Sequence, residues 1–292
     1  MAIVGSGAVG GYYGAQLALK QDVSFLMRRD LEAVRKRGLS IESPEGDFRL
    51  ENVKAFANTH EIGAVDLVII ALKTTSNELL PKLILPLLKP DTILLTLQNG
   101  LGNEEFLQEH FPNQPILGGM CFVCINRGEP GVIRHIAHGR IEMGELTQTG
   151  SLQQVSHLFN EAGIDCRELP NLGLARWRKL VWNVPFNGLS IAAGNLDTCQ
   201  ILDCPDLVNR TRTLMLEVIA SAGAQGYEID PAFAESNIEG TRKMGAYQPS
   251  SLVDFMAGNE VEVDAIWGEP LRRARSHGVA MPGLEKLHFE IC

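Results

Sequence analysis

The 292-residue sequence predicts an α/β amino-terminal half built on a parallel sheet and an all-helical carboxyl-terminal half. Short apolar strands alternate with helix-like segments up to about residue 169, which is typical of repeated βαβ units. From Pro170 onward the strand pattern disappears and only helical patterns follow. This change predicts two domains, residues 1–169 and residues 170–292.

Within the first domain, an apolar strand opens the chain, and helices and strands then alternate. The predicted segments, in chain order, are a strand at 1–4, a helix at 12–20, a strand at 23–27, a helix at 31–37, a hairpin at 39–43 and 48–52, a strand at 65–72, a helix at 79–88, a strand at 92–97, a helix at 103–110 and a strand from 116. The continuous apolar runs are typical of strands buried on both faces of a sheet. Asp30 is the expected N-cap of the helix at 31–37.

The remainder of the first domain changes character. Residues 118–143 predict extended strands, interrupted at Gly139 and around Gly128, and we expect them to be antiparallel and to close one edge of the sheet. A helix at 150–163 and a strand at 164–169 follow.

The second domain is predicted to be helical throughout. Its predicted helices lie at 177–193, 204–226, 231–243, 261–278 and the end of the chain. Ser250 and Ser251 precede another helix, which they most simply cap. Pro185 is expected to leave the Val181 carbonyl without a donor and to bend its helix.

The first strand leads directly into a glycine-rich turn, G-x-G-x-x-G, at Gly5, Gly7 and Gly10. Gly5 permits a sharp turn, Gly7 lets the backbone approach a pyrophosphate, and Gly10 lets the next helix pack on the sheet. The N–H groups at that helix N-terminus suit phosphate. Strand, turn and helix together predict a Rossmann-type dinucleotide-binding unit. The residues assigned to the cofactor in this turn are Gly5, Ser6, Gly7, Ala8, Val9 and Gly10.

The end of the second strand separates NAD sites from NADP sites. An acidic residue there binds a ribose 2′-hydroxyl, whereas a basic residue binds a 2′-phosphate. Here Arg28 stands where the acidic residue would be expected, followed by Arg29 and Asp30. A planar guanidinium suits a phosphate, so we expect NADP(H) as the cofactor. The alternative is that both arginines are solvated loop charges.

Composition and charge narrow the classes of partner. The net charge of −9 argues against nucleic acid or an anionic membrane, since both are polyanions. No secretory signal or transmembrane segment is visible, because prolines and charges interrupt the most apolar stretch, residues 79–97. Cys121 and Cys124 form a C-x-x-C pattern without a second pair or a histidine cluster, so we expect no metal site. We therefore expect a cytoplasmic protein with reduced cysteines.

Polar residues follow two of the predicted buried strands, at the sheet edge where α/β proteins bind ligands. Lys73 follows the strand at 65–72 and is a candidate contact for cofactor phosphate or ribose. Asn99 follows the strand at 92–97 and is a candidate contact for ribose or substrate. Taken singly, they would be interpreted as a loop lysine and a turn asparagine. Two such residues beside a phosphate-binding turn favour the functional interpretation.

A polar stripe stands out in the helical domain. Lys179, Asn183 and Asn187 are spaced four residues apart and therefore share one face of the predicted helix. Their neighbours are mainly apolar, so these amides and the amine need partners in protein or ligand. We favour a ligand-binding stripe over the alternative, in which the asparagines cap loops and the lysine reaches solvent.

The order of these motifs resembles that of the ketopantoate reductases (2-dehydropantoate 2-reductases). The segments that carry the resemblance are the glycine turn, Leu72-Lys73, Gln98-Asn99-Gly100, Arg178-Lys179-Leu180 with Asn183 and Asn187, Ser250-Ser251, Glu262-Val263-Asp264 with Gly268, and residues 272–282. The resemblance spans nearly the whole chain. It implies a Rossmann domain followed by a helical domain like that of 6-phosphogluconate dehydrogenase.

The resemblance also implies an activity and a role for each matching residue. The family reduces ketopantoate to D-pantoate with NADPH, on the route to pantothenate and coenzyme A. The implied roles are the 2′-phosphate for Arg28, a cofactor contact for Lys73, the ribose and substrate boundary for Asn99, catalysis for Lys179, the substrate hydroxyl for Asn183 and Asn187, the substrate carboxylate for Ser251, and support of the lysine with contacts to substrate and cofactor for Glu262.

Hydride transfer to a ketone builds negative charge on its oxygen, which Lys179 is expected to stabilise and then protonate. The 2-oxo acid substrate is expected between the domains. Two alternatives stay open: a reductase of another bulky 2-oxo acid, and an NADP(H)-binding sensor without turnover. Trp267 departs from the family pattern, in which a small or polar residue is common before Gly268. A homodimer is the assembly that we consider.

Overall fold

Two units make up the chain, which a computed structural model describes from residue 1 to residue 292. The first unit comprises Met1–Gln98 and Asn103–Leu172, and the second comprises Asn99–Gly102 and Gly173–Cys292. The four-residue segment Asn99–Gly102 therefore belongs by its contacts to the unit that follows later in the chain. None of the helices combines the length and apolarity needed to span a bilayer.

A single mixed sheet forms the centre of the first unit. Its strands are β1 (Ala2–Val4), β2 (Ser24–Leu26), β3 (Leu39–Glu42), β4 (Phe48–Leu50), β5 (Lys54–Phe56), β6 (Leu67–Ile70), β7 (Ile93–Thr96), β8 (Ile116–Arg127), β9 (Val132–Glu145) and β10 (Cys166–Glu168). Their order is β4-β3-β9-β8-β7-β6-β1-β2-β5, with β10 paired to β9. The strands from β8 to β5 in this order are all parallel. The carboxyl ends of β1, β6 and β7 therefore lie together at one end of the sheet.

Helices connect most of these strands. They are α1 (Ala8–Ala18), α2 (Leu31–Arg37), α3 (Thr59–Ile62), α4 (Leu80–Ile84), α5 (Asn103–His110) and α6 (Ser151–Glu161). The single helix predicted at 79–88 is instead α4 flanked by the 3-10 turns Thr74–Leu79 and Leu85–Leu87. Pro81 and Pro86 explain the breaks, because proline has no N–H for a helical hydrogen bond.

Two apolar cores lie on opposite faces of the sheet, because successive strand residues point to opposite sides. Ile3 and Ile69 belong to one core, and Val4 and Ile70 belong to the other. All four side chains are completely buried. Burial on both faces explains the continuous apolar runs in the sequence.

One local expectation for this unit is wrong, and a second is confirmed in position only. The antiparallel strands β8 and β9 do not close an edge, because β9 also pairs with β3 and β4 lies beyond it. Asp30 occupies the N-cap position of α2, but its side chain makes no capping hydrogen bond. Its carboxylate instead pairs with Arg127, the last residue of β8, at 2.6 Å. In addition, β5 was not predicted, because three residues are too few to show an alternation.

The second unit contains only helical elements and loops. They are α7 (Leu172–Ala192), α8 (Thr198–Asp203), α9 (Pro205–Ala224), α10 (Ala232–Arg242), α11 (Ser250–Met256), a π-helical segment (Asp264–Gly268), α12 (Glu269–Ser276) and α13 (Pro282–Ile291). The completely buried side chains of Trp177, Phe186 and Trp267 lie in its core. Helix α7 continues through Pro185 and carries the polar stripe.

The expected capping role of Ser250 and Ser251 is also wrong. Both serines lie inside the first turn of α11, and the N-cap position is held by Pro249 without a side-chain hydrogen bond. The backbone N–H of Ser251 donates instead to Asn187 Oδ1 of α7, at 3.0 Å. An amide from a distant helix therefore replaces the local cap.

Candidate active site

The glycine turn between β1 and α1 has closely packed sides and one open face. Gly5 has a φ of +103°, and a Cβ there would lie 2.4 Å from the backbone nitrogen of Leu72. A Cβ at Gly10 would lie 2.1 Å from the Gly5 carbonyl oxygen. At Gly7 a Cβ would meet nothing within 4 Å, so this side of the turn is open. Open space beside the N–H groups of a helix start fits the pyrophosphate of a dinucleotide.

Two further parts of the cofactor motif lie beside this turn. Ser6 Oγ donates a hydrogen bond of 2.9 Å to the carbonyl oxygen of Leu26, which ties the turn to the end of β2. Ala8 and Val9 begin α1. Arg28 follows two residues after Leu26 and is exposed to solvent. This placement leaves the Arg28 guanidinium accessible to a bound anion.

Lys73 lies at the same edge of the sheet. It follows β6, in which Ile70 pairs with Val4 of β1, and it holds the N-cap position of the 3-10 turn Thr74–Leu79. Because β1 and β6 are parallel, the residues after both strands emerge at one edge. The structure therefore brings Lys73 and the glycine turn to the same side of the sheet.

An amide network holds both ends of the segment that contains Asn99. Gln98 Nε2 donates to Asn77 Oδ1 at 2.7 Å, and Asn77 Nδ2 donates to Asn103 Oδ1 at 3.1 Å. Thr96 Oγ1 donates to Gln98 Oε1 at 2.9 Å. The sequence interpretation missed Asn77. The signal was Gln98 itself, since a glutamine at the end of a buried strand needs amide partners.

The segment Asn99–Gly102 also packs closely on the later part of its own unit. The N–H of Leu101 donates to the carbonyl oxygen of Ala265 at 3.0 Å. Gly100 has a φ of +84°, and a Cβ there would lie 2.3 Å from the same oxygen. Ala265 belongs to the π-helical segment that follows Glu262. Only glycine therefore fits where the Asn99 segment meets the backbone near Glu262.

Three residues that are distant in the sequence form one hydrogen-bonded row. Lys179 Nζ donates to Asn99 Oδ1 at 3.2 Å, and Asn99 Nδ2 makes a longer contact of 3.5 Å with Glu262 Oε2. The amide of Asn99 thus joins an ammonium group to a carboxylate. A cation held in this way can stabilise negative charge on a ligand oxygen and can donate a proton.

The remaining predicted substrate residues lie along and beside α7. Asn183 lies one turn from Lys179 and is 8% exposed, while Asn187 and Ser251 are 2% and 4% exposed. Asn187 Oδ1 is occupied by the Ser251 N–H, as described above. Asn187 therefore makes a capping contact between two helices, as expected from the alternative interpretation in which the asparagines of the stripe act as caps. Its amide NH2 group is not needed for that contact.

Both parts of the chain match models of one protein family. The family model described as ketopantoate reductase PanE/ApbA matches residues 1–148, and the model of its C terminal part matches residues 171–289. The chain belongs to the ketopantoate reductase family. This result confirms the resemblance found in the sequence motifs, together with the fold class of a Rossmann-type domain followed by a helical domain.

Individual relatives agree with the family. The 2-dehydropantoate 2-reductase of Nostoc sp. is 42% identical over 300 residues, covering 99% of this chain and 93% of that protein. The crystal structure of 2-dehydropantoate 2-reductase from Geobacter metallireducens has a TM-score of 0.95 and 43% identity, covering 100% and 99% of the two chains. A dimeric ketopantoate reductase from Staphylococcus aureus has a TM-score of 0.80 at 22% identity, covering 99% and 96%, and shares the fold.

Proposed function

We propose that this protein catalyses the NADPH-dependent reduction of 2-dehydropantoate to D-pantoate. Membership of the ketopantoate reductase family and the 42% identity to the Nostoc enzyme support the reaction. The observation that carries the proposal is the row of Lys179, Asn99 and Glu262. A ketone reductase needs a positive charge and a proton donor at the carbonyl oxygen, and Lys179 supplies both.

The reaction adds a hydride to the keto carbon and a proton to the keto oxygen, so that C=O becomes CH–OH. When bound, the reduced nicotinamide supplies the hydride. The ammonium of Lys179 stabilises the negative charge that develops on the oxygen and then donates the proton. Asn99 orients this ammonium through its Oδ1, and Glu262 holds the same amide from its nitrogen side.

The other polar residues of the second unit are assigned to the ends of the substrate. Ser251 binds the carboxylate through its hydroxyl, and Asn183 and Asn187 bind the substrate hydroxyl. Asn187 keeps its NH2 group for this purpose because its Oδ1 is used by the Ser251 N–H. All three residues are buried, so a substrate lacking a hydroxyl leaves amide groups unsatisfied and binds less well.

NADP(H) is the proposed cofactor. The proposed contacts are Gly5, Ser6, Gly7, Ala8, Val9, Gly10, Arg28, Lys73, Asn99 and Glu262. The open side of Gly7 receives the pyrophosphate, and Arg28 binds the 2′-phosphate. Arg28 and Arg29 are exposed and make no hydrogen bond or ion pair, so neither has to leave a protein partner to bind an anion.

We also propose that residues 1–169 bind the cofactor and that residues 170–292 supply the substrate residues. Asn99 is the exception, because its segment belongs by contact to the second unit. The proposed assembly is a homodimer, which sedimentation equilibrium tests. The proposed location is the cytoplasm, where six free cysteines stay reduced.

The first experiment measures the fall in NADPH absorbance with 2-dehydropantoate and with a panel of other bulky 2-oxo acids. The proposal expects kcat/KM to be highest for 2-dehydropantoate. A higher kcat/KM for another 2-oxo acid assigns the same chemistry to that acid. NADPH binding without oxidation by any 2-oxo acid contradicts an enzymatic role and supports a sensor.

The second experiment tests the role of Lys179 with a matched lysine. Lys179→Met is compared with Lys286→Met, which removes an exposed lysine of α13 in the same unit. We expect kcat to fall by about a hundredfold or more in the first variant and to stay unchanged in the second. Calorimetric NADPH affinity should remain within about twofold in both, because Lys179 acts on the substrate. Equal turnover of the two variants would refute the role.

A further inference from the structure

Three consecutive charged residues after β2 lie in contrasting surroundings. Arg28 and Arg29 are exposed and make no ion pair, whereas Asp30 is only 8% exposed. The carboxylate of Asp30 is paired with Arg127, whose Nη2 lies 2.6 Å from Asp30 Oδ2. The acidic residue of the run is therefore engaged by the protein, and the two basic residues are not.

Arg127 reaches Asp30 because the hairpin of β8 and β9 is long. Its turn meets the end of α2, where Arg37 Nη2 donates to the carbonyl oxygen of Pro130 at 3.0 Å. The N–H of Ser40 donates to the carbonyl oxygen of Gly131 at 2.9 Å. These contacts hold the hairpin turn beside α2, so Arg127 stands at a fixed place near the N-terminal residue of that helix.

The carboxylate of Asp30 depends on this arginine for its charge balance. Its Oδ1 atom is buried and has no hydrogen-bond partner, so Arg127 is the ion-pair partner that the structure provides. A buried carboxylate without compensation repels nearby anions more strongly than a solvated one, because the surrounding dielectric is low.

We propose that Arg127 is a specificity residue for the cofactor, acting through Asp30 and resting on the proposed use of NADPH. By neutralising the carboxylate two residues after Arg28, it leaves Arg28 and Arg29 as the uncompensated charges that meet a 2′-phosphate. Without Arg127, the carboxylate repels the 2′-phosphate and becomes able to accept a hydrogen bond from a 2′-hydroxyl. The residue therefore favours NADPH over NADH without contacting either.

The opposite assignment, in which Asp30 itself binds the ribose 2′-hydroxyl of NADH, is disfavoured by the same geometry. One carboxylate oxygen is inaccessible to solvent, and the other is paired with Arg127. A hydroxyl would have to displace the arginine in order to reach the carboxylate.

The test uses calorimetry to measure the affinities of NADPH and NADH for the wild type, for three variants of the Asp30–Arg127 pair and for one control variant. The affinities of adenosine 2′,5′-bisphosphate and adenosine 5′-monophosphate are measured in the same way. Arg127→Met should lower the NADPH-to-NADH affinity ratio by about fivefold to tenfold, as expected for one nearby charge. Asp30→Asn should keep the ratio at or above the wild-type value. The double variant Asp30→Asn with Arg127→Met should return it to within about twofold of wild type.

The matched control is Arg134→Met on the same hairpin, which removes an arginine paired with Glu42. This variant should leave the ratio unchanged. The effect of Arg127→Met should also shrink when salt rises from about 0.05 M to about 0.5 M, since charge effects are screened and packing effects are not. Circular dichroism and thermal unfolding establish that each variant is folded.

The outcomes separate this role from the proposed function. A wild-type protein that prefers NADH overturns both the NADPH proposal and the role of Arg127. A wild-type protein that prefers NADPH, with an unchanged ratio in Arg127→Met, overturns only the role of Arg127. If Arg127→Met does not fold, the Asp30→Asn variant decides, because a lower ratio in that variant contradicts repulsion by Asp30.

Discussion

Trp267 Nε1 donates a hydrogen bond to the backbone carbonyl oxygen of Val184, at 2.9 Å. The indole is completely buried, and it packs beside Gly188, where a Cβ would lie 3.0 Å from the same nitrogen and 2.6 Å from Leu287. The contact joins the π-helical segment to α7, the helix that carries Lys179. Trp267 is thus a core residue, and Gly188 makes room for it.

Substitutions at this contact should destabilise the second unit. Trp267→Phe removes a buried hydrogen bond and leaves a cavity, and we expect it to cost about 2 kcal/mol. Gly188→Ala should cost about 1–3 kcal/mol through overpacking. The control is Gly240→Ala on α10, where a Cβ meets nothing and helix propensity predicts a gain of up to about 1 kcal/mol. Urea unfolding measures all three, and equal stability of the two alanine variants would contradict the packing account.

Gly100 and Gly102 form a second matched pair. Both have positive φ, but a Cβ at Gly100 lies 2.3 Å from the Ala265 oxygen, and one at Gly102 makes ordinary contact at 3.5 Å with Glu269. Both alanine variants should therefore bear backbone strain, whereas Gly100→Ala should also displace Asn99. We expect kcat to fall by about a hundredfold in Gly100→Ala and by much less in Gly102→Ala, because small misplacements of catalytic groups are costly. Steady-state kinetics measures kcat for both variants, and equal kcat values would contradict the role of Gly100 in positioning Asn99.

Glu145 should contribute to the acid sensitivity of the first unit. Burial raises the pKa of its carboxyl, but hydrogen bonds from the N–H groups of Leu152 and Thr149, at 2.9 and 3.1 Å, and from the Thr149 hydroxyl outweigh burial and hold the pKa below its usual value. The pKa of Glu145 is therefore lower in the folded protein than in the unfolded chain, where it is about 4.3. Because of this difference, the charged carboxylate stabilises the folded state at pH values above the unfolded pKa. This stability is lost as the pH falls through the folded pKa.

The free energy of unfolding of the wild type should therefore decline below about pH 4.5 more steeply than that of Glu145→Gln. Glu51→Gln, which changes an exposed carboxylate, should keep the wild-type slope. Urea titrations at a series of pH values measure the slopes. Identical slopes for the wild type and Glu145→Gln would show that the hydrogen bonds do not favour the charged form.

The Cys166 thiol should be unreactive in the native protein. Burial, with smaller effects of nearby acidic groups, raises its pKa to about 12, whereas Cys292 is exposed. Because the thiolate is the reactive form, iodoacetamide near pH 8 should alkylate Cys292 and leave Cys166 unmodified until urea unfolds the chain. Mass spectrometry of proteolytic peptides measures the extent of alkylation at Cys166 and at Cys292. Equal rates of alkylation in the native protein would contradict the burial of Cys166.

Much of the fold was predictable because it depends on local pattern. Alternating apolar runs, the glycine turn at Gly5 and the loss of strand pattern after Pro170 predicted the two kinds of architecture. The spacing of Lys179, Asn183 and Asn187 predicted one face of a helix, and all three lie on α7. The order of β9 in the sheet was not predictable, because strand pairing depends on partners far along the chain.

The sequence by itself determined most of the helices and strands and the chemistry available on each, because backbone geometry and side-chain periodicity act over a few residues. Tertiary structure alone decided which of those groups meet. It brings Asn99 to Lys179 and Glu262, across 80 and 163 positions, and it pairs Asp30 with Arg127 rather than with the start of α2. Such contacts arise when whole elements pack, and the buried polar groups then take whichever partners the packing leaves within reach.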